Sequence, residues 1–344
     1  MTRRQLLLFG AKLLFAAGVI AWLGRKVDLA HVWRNVGTAE RLPVATGILL
    51  CLLTVGIAGW RWQRLLRIFQ IQIGLKALIC ITQIGQFFAV FLPGPLGDDL
   101  TRMLYISRLA PGRVGEACTT VLLDRSLGLA TVLFLAVLCI PWYWTVLGTS
   151  KQTYLLALII LTAGGVICLF GLFFFLAGHP THRWFQKRLG MLPAHSLRDE
   201  VVRAWGLLCA NKRTLAQIII AATFTQLLLC LVFYLAGIAV GIRAPFLVWL
   251  SFVPIVLAAN AVPITIAGFG IREYLLVLFL GVLAKVDQEH ALAASFVAIG
   301  MILTVCLLGG LLYVFYRPQR KAADPVENRD PRYPSDFRIR STTN

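Results

Sequence analysis

Three short stretches of this chain set charged side chains among apolar ones. In FLPGPLGDDLTRMLY, residues 91–105, Pro93 and Gly97 lead into two aspartates, and Arg102 follows Asp99 by three positions, a spacing that lets the two pair on one helix face. Asp98 or Asp99 is placed to cap the helix that starts there. In VLLDRSLGL, Asp124 and Arg125 are neighbours in sequence. Adjacent helical positions point roughly 100° apart, so each needs a partner elsewhere, and both are expected to face the interior. In VPITIAGFGIREYLL, Thr265, Gly268 and Gly270 lead into Arg272 and Glu273. Glycines there let backbone N–H groups approach a ligand, and a positive helix end beside an arginine suits a phosphate. The shared chemistry is anion recognition: Arg102, Arg125 and Arg272 for a phosphate, with Asp99, Asp124 and Glu273 to hold those arginines or carry protons. The plainer alternatives are an ion pair that only neutralises itself at a helix start, and an Arg272 that only reaches toward water.

Other chemistries find no support in the sequence. The five histidines form no catalytic or metal set, no Ser-His-Asp arrangement can be built, and eight cysteines sit singly without a C-x-x-C. The G-x-G at 268–270 lacks both the third glycine and the preceding strand of a dinucleotide site. No cofactor is expected. Arg61, Arg64 and Arg67 follow an apolar run beside Trp60 and Trp62, which reads as an interfacial anchoring belt.

These residues lie in a chain that is 59% hydrophobic, with a mean hydropathy of +0.80 over 344 residues. That composition belongs to a membrane protein. Crossing a bilayer takes about 20 apolar residues, and uncharged runs of that order occur at 42–60, 77–97, 126–150, 152–178, 214–242, 244–271 and 291–316, after a first segment, 5–24, that carries only Lys12. The net charge of +18 is scattered over the ends of these runs, so it sets topology and meets lipid headgroups, and nucleic acid is excluded as a partner. Placing the N-terminus, 61–76, 93–117, 178–213 and the C-terminus on the cytoplasmic side puts 23 Lys and Arg there against 7 outside.

With 61–76 and 93–117 on one side, the run at 77–97 must enter and leave by the same face. The same holds for 244–284, whose second limb, 274–284, is too short to cross. The expected fold is therefore an all-α polytopic membrane protein. It has six full spans (5–24, 43–60, 118–140, 153–177, 214–241 and 291–316) and two re-entrant hairpins. The halves, about 1–150 and 151–316, are inverted relative to each other, and the motifs at Pro93 and Pro263 stand 170 residues apart. The loop 25–42 has Leu29, Val32, Trp33 and Val36 at helical spacing and should lie along the interface. Residues 178–213 read as a basic interfacial segment, and the proline-rich 317–344 as a disordered cytoplasmic tail.

The motifs GWRWQRLL, FLPGPLGDDLTRMLY, VLLDRSLGL and VPITIAGFGIREYLL, in this order, resemble the membrane domain of bacterial lysylphosphatidylglycerol synthases, the flippase domain of the multiple peptide resistance factor. The resemblance covers about residues 5–316. It maps a P-x-x-x-G-D-x-x-R pattern, with one extra residue, onto Pro93 to Arg102 through Asp99 and Arg102, a D-R pair onto Asp124 and Arg125, and G-x-G-x-R-E onto Gly268 to Glu273. It implies lipid movement across the bacterial cytoplasmic membrane, by a non-enzymatic translocator whose partner is a lipid with a phosphate headgroup. In fused enzymes of the family an aminoacyltransferase domain follows the membrane part, and here 28 residues do. The expected substrate is an anionic phospholipid or a polyprenyl-phosphate-type lipid. Two other functions compete: a membrane transferase acting on a lipid-linked sugar, and a non-transporting partner that docks a cytoplasmic lipid-modifying enzyme.

Overall fold

A computed structural model describes residues 29–91, 96–139, 206–208, 210–261 and 270–316, with 162 and 165 as single helical positions. Every element among these residues is a helix, and the main ones number nine. They are α1 (Leu29–Gly37), α2 (Arg41–Ile68), α3 (Leu75–Phe91), α4 (Leu96–Leu109), α5 (Val114–Cys139), α6 (Lys212–Ala239), α7 (Phe246–Ala261), α8 (Ile271–Ala284) and α9 (Gln288–Phe315). Four of them, α2, α5, α6 and α9, are long and apolar enough to cross a membrane. The expected spans 5–24 and 153–177, the segment 178–213 apart from its last few residues, and the tail lie outside the described residues.

Helix ends follow local chemistry more than charge. Pro43 falls at the third position of α2, where its missing N–H costs nothing because first-turn donors have no acceptor within the helix. α2 then runs to Ile68 and stops with Gln70 in the left-handed region (φ 57°), the Ile71 N–H returning to Leu66 O and the Gln70 N–H to Arg67 O. This is a Schellman ending. α6 stops the same way, with Gly241 at φ 84° and Ile242 N–H donating to Gly237 O. The expected end of the second span at residue 60 is therefore too early, because a helix continues through a charged turn once its arginines have partners.

The halves match in outline. α2 and α6 are both 28 residues long, α4 and α8 both 14, and α3 and α7 have 17 and 16. α6 begins 171 residues after α2, and α7 begins 171 after α3. Exchanging α2 with α6, α3 with α7, α4 with α8 and α5 with α9 also maps the packing relations among these eight helices onto one another: α5 lies on α7 as α9 lies on α3, and α2 on α9 as α6 on α5, while α2 and α6 pack on each other.

The short pairs α3/α4 and α7/α8 each fold back and pack together. A helix of 14 residues is about 21 Å long, short of a roughly 30 Å hydrocarbon core. Close helix approach rests on glycines, as usual where helices pack in lipid. A Cβ on Gly309 would stand 2.2 Å from the Gln83 carbonyl oxygen, and one on Gly97 would stand 2.5 Å from that of Phe88, so α9 and α4 both lie directly against the α3 backbone. One apolar core gathers Phe233, Trp249, Phe252 and Phe279 in the second half, and another gathers Trp62, Leu65, Leu78 and Ile106 in the first. α1 is a helix as its pattern predicts, packs on α9, and stacks the exposed Trp33 on Phe296 with ring centroids 5.9 Å apart.

Candidate functional site

α2, α4 and α5 converge on one buried carboxylate. Asp124 is 2% exposed and accepts from Arg61 Nε at 2.6 Å and Nη2 at 3.1 Å, and from Arg102 Nη1 at 3.0 Å. Charges buried in this way are tolerated only when paired and hydrogen-bonded. Arg102 also donates from Nη2 to Thr82 Oγ1 at 3.0 Å, and its guanidinium lies 4.7 Å from the ring of Trp62. Trp62 is held in turn by its own N–H, which donates to Thr120 Oγ1 at 3.0 Å. Gly128, one turn along α5 from Asp124, lies beside the Arg61 guanidinium, where a Cβ would be in ordinary contact with it.

Around this centre lie two more aspartates and an arginine. Asp98, at the third position of α4, stands 3.5 Å from Arg102 Nε, and Asp99 Oδ2 accepts from Arg125 Nη1 at 2.8 Å. Arg125 is 37% exposed and is the most accessible of the three arginines. Three basic and three acidic side chains thus form one network: Arg61, Arg102 and Arg125 with Asp98, Asp99 and Asp124. It sits behind the hairpin tip, since Arg102 follows Leu96 by six residues, or about 9 Å along the helix.

The structure corrects three expectations here. Asp99 does not pair with Arg102: residues 98 and 102 stand one above the other on α4, while Asp99 turns to α5. The partners of Asp98 and Asp99 are arginine side chains and not the backbone N–H groups of a cap. Arg61 is not an interfacial anchor. It is buried with Asp124, because α2 carries on past Trp60 and turns residue 61 inward. The expectation that Asp124 and Arg125 look past each other to separate partners holds.

The second motif forms its own cluster. Gly270, at φ 95°, begins α8, and its N–H donates to Glu273 Oε2 at 2.6 Å. Glu273 Oε1 accepts from Arg272 Nε at 3.2 Å and from Ser295 Oγ of α9 at 3.3 Å. Neighbours in sequence meet here because the carboxylate curls back over the helix start. The two clusters are built from different helices, α2 to α5 for one and α8 with α9 for the other. α9 links them by packing on both α8 and α3, where Gln83 Nε2 donates to Val305 O. Pro93, Thr265 and Gly268 lie outside the described residues, and Gly97 lies at the α3/α4 contact.

The model of the lysylphosphatidylglycerol synthase TM region matches residues 10–329. The chain belongs to this family. As a member of the lysylphosphatidylglycerol synthase TM family it is a multi-pass membrane protein with a lipid-related function. Comparison with curated proteins gave no match. In this family member the motifs that carry the resemblance are those that supply the two clusters. Arg61, which sequence reasoning set aside as an anchor, lies in the first of those motifs, and Asp98, offered there only as a possible helix cap, lies in the second.

Proposed function

We propose that this protein is a translocator that moves an anionic phospholipid or a polyprenyl-phosphate-type lipid across the bacterial cytoplasmic membrane. In this reading α3/α4 and α7/α8 are re-entrant hairpins from opposite faces, the halves are inverted, and both termini are cytoplasmic. The headgroup passes along a polar path between the hairpins, where Arg102, Arg125 and Arg272 take the phosphate while the acyl or prenyl chains stay in lipid. Asp99, Asp124 and Glu273 hold the arginines in place. The protein acts without covalent chemistry and without a cofactor.

The observation that carries this reading is the largely buried network of three arginines and three aspartates behind a short helical pair, in a family named for lipid modification. A purely structural bundle gains little from such a cluster, because well-packed apolar side chains of the same volume are as stable or more so. Ionisable groups at membrane depth are retained for a substrate or ion path. Reconstitution into liposomes with a headgroup-labelled phosphatidylglycerol, read by quenching of the outer leaflet, tests it. Wild type should move the label, and Arg272→Ala should slow it at least about tenfold, the scale of losing one charge-assisted phosphate contact. Equal rates for protein-free, wild-type and Arg272→Ala vesicles would refute it.

A further inference from the structure

Arg102 is hydrogen-bonded or stacked on three sides and lacks a hydrogen bond on the fourth. Asp124 and Thr82 take its two terminal nitrogens, and Trp62 lies against its face. Its Nε makes no hydrogen bond, although the side chain is only 4% exposed. That N–H group looks at Asp98 Oδ1, 3.5 Å away, an oxygen that also has no hydrogen-bond partner. The two atoms attract as ions but stand beyond a good hydrogen bond. Asp98 is also the loosest of the three carboxylates, with its side chain 25% exposed against 12% for Asp99 and 2% for Asp124. It lies in a slot that depends on Gly85 of α3, where a Cβ would stand 2.1 Å from Oδ1.

We propose that this slot, bounded by Gly85 and Arg102, is the subsite for one oxygen of the lipid phosphate, and that the Asp98 carboxylate is its tethered competitor. The inference rests on the translocator reading and deepens it, by naming the group that receives the phosphate and the group that yields. The contacts favour such an exchange: three arginines already face three aspartates, so an arriving anion competes with one of them for its arginine. Asp124 is held by three N–H donors and Asp99 by Arg125, whereas Asp98 is held by none. A phosphate oxygen in the slot meets the Nε–H at about 2.8 Å, a charge-assisted bond. Asp98, on the first turn of α4, swings toward its exposed side. Its return expels the phosphate, so binding stays reversible, as transport requires.

The test is lipid binding by the purified full chain in detergent, titrated with a short-chain phosphatidylglycerol and, in parallel, with inorganic phosphate. Asp98→Asn keeps the shape and removes the competing charge, and it should bind the lipid about tenfold more tightly than wild type. Asp98→Ser serves the same purpose if the asparagine variant does not fold. Tightening for the lipid alone assigns the subsite to a headgroup, and equal tightening for both ligands assigns it to free phosphate as well. A general loss of negative charge is separated by Arg102→Lys, which keeps the charge and removes the Nε–H. It should weaken binding at least about tenfold in the Asp98→Asn background and less than about threefold in wild type, a coupling that mere field effects do not produce. Unchanged or weaker binding by both Asp98 variants, or additive effects in the cycle, overturns the proposal. If lipid binding stays sensitive to Arg272→Ala while Asp98→Asn changes nothing, only the competitor idea fails. If no variant binds any phosphate ligand, the translocator reading fails with it.

Discussion

Asp124→Asn is the perturbation that the network answers most sharply. The wild-type carboxylate accepts three hydrogen bonds from two guanidinium groups at nearly complete burial. Asparagine keeps the volume but loses the charge and turns one acceptor into a donor that faces an arginine. Arg102 still has Thr82 and the nearby Asp98, so the larger loss falls on Arg61, whose hydrogen bonds both go to Asp124. Removing one partner of a buried pair costs about 3–5 kcal/mol, and the partial cover of Arg102 places this variant in the lower half of that range. Arg61→Met removes the other partner but leaves Asp124 bonded to Arg102, so it should cost less, about 1.5–3 kcal/mol. Arg61→Met with Asp124→Leu replaces the pair by apolar groups and should cost about 2 kcal/mol less than the sum of the single variants. Reversible unfolding by SDS titration in mixed micelles reads these values from the midpoints at constant slope. An Asp124→Asn shift below about 1 kcal/mol, or additivity within about 0.5 kcal/mol, would refute the view that this carboxylate is the keystone of the network.

Three further outcomes follow from the packing and the fold. Trp62→Phe removes the N–H bond to Thr120 and weakens the ring contact with Arg102, and should cost about 1–2 kcal/mol in the same titration. Gly309→Val drives a side chain into the Gln83 carbonyl and should cost 3 kcal/mol or more, roughly the upper range for overpacking, whereas Gly300→Ala meets open space and should be neutral or slightly stabilising. In a cysteine-free background, single cysteines at Lys76 and Arg108 should react with an impermeant maleimide from the same side of the membrane, and cysteines at Arg243 and Asp287 from the other. Labelling of 76 and 108 from opposite sides would make α3/α4 a full crossing.

Much of this architecture was legible because hydropathy and breakers report directly on helix existence. The four long helices, the two short pairs and the interval of about 170 residues all follow from uncharged runs and from proline and glycine punctuation. Helix ends were less legible. Charge marks where side chains prefer water, and Arg61 defeats that signal by finding Asp124 across 63 residues of chain. The local rule held for Asp124 and Arg125, which lie within a helix and find separate partners on α2 and α4, but not for Arg272 and Glu273, which meet at a helix start. It was wrong for Asp99 and Arg102, because two candidate pairs, at spacings of three and four, compete on one helix and only the packing of α5 decides between them. The pairing of Glu273 with Ser295 was invisible, since a lone serine in an apolar helix carries no signal of its own.

The four long helices also bear on the kind of bilayer that suits this protein. At 26–28 residues each they run about 39–42 Å, some 10 Å beyond a typical hydrocarbon thickness. On α2 the distance from Arg41 to Arg61 is about 30 Å, so a membrane of ordinary thickness leaves Arg64 and Arg67 in the headgroup layer and the ion network just inside it. Thicker, longer-chained lipids would draw those arginines into the oil, and the mismatch would be relieved by straightening the helices or pinching the bilayer. Acyl-chain length therefore becomes a tuning variable for this molecule, one that acts through its cationic rims before it reaches the centre.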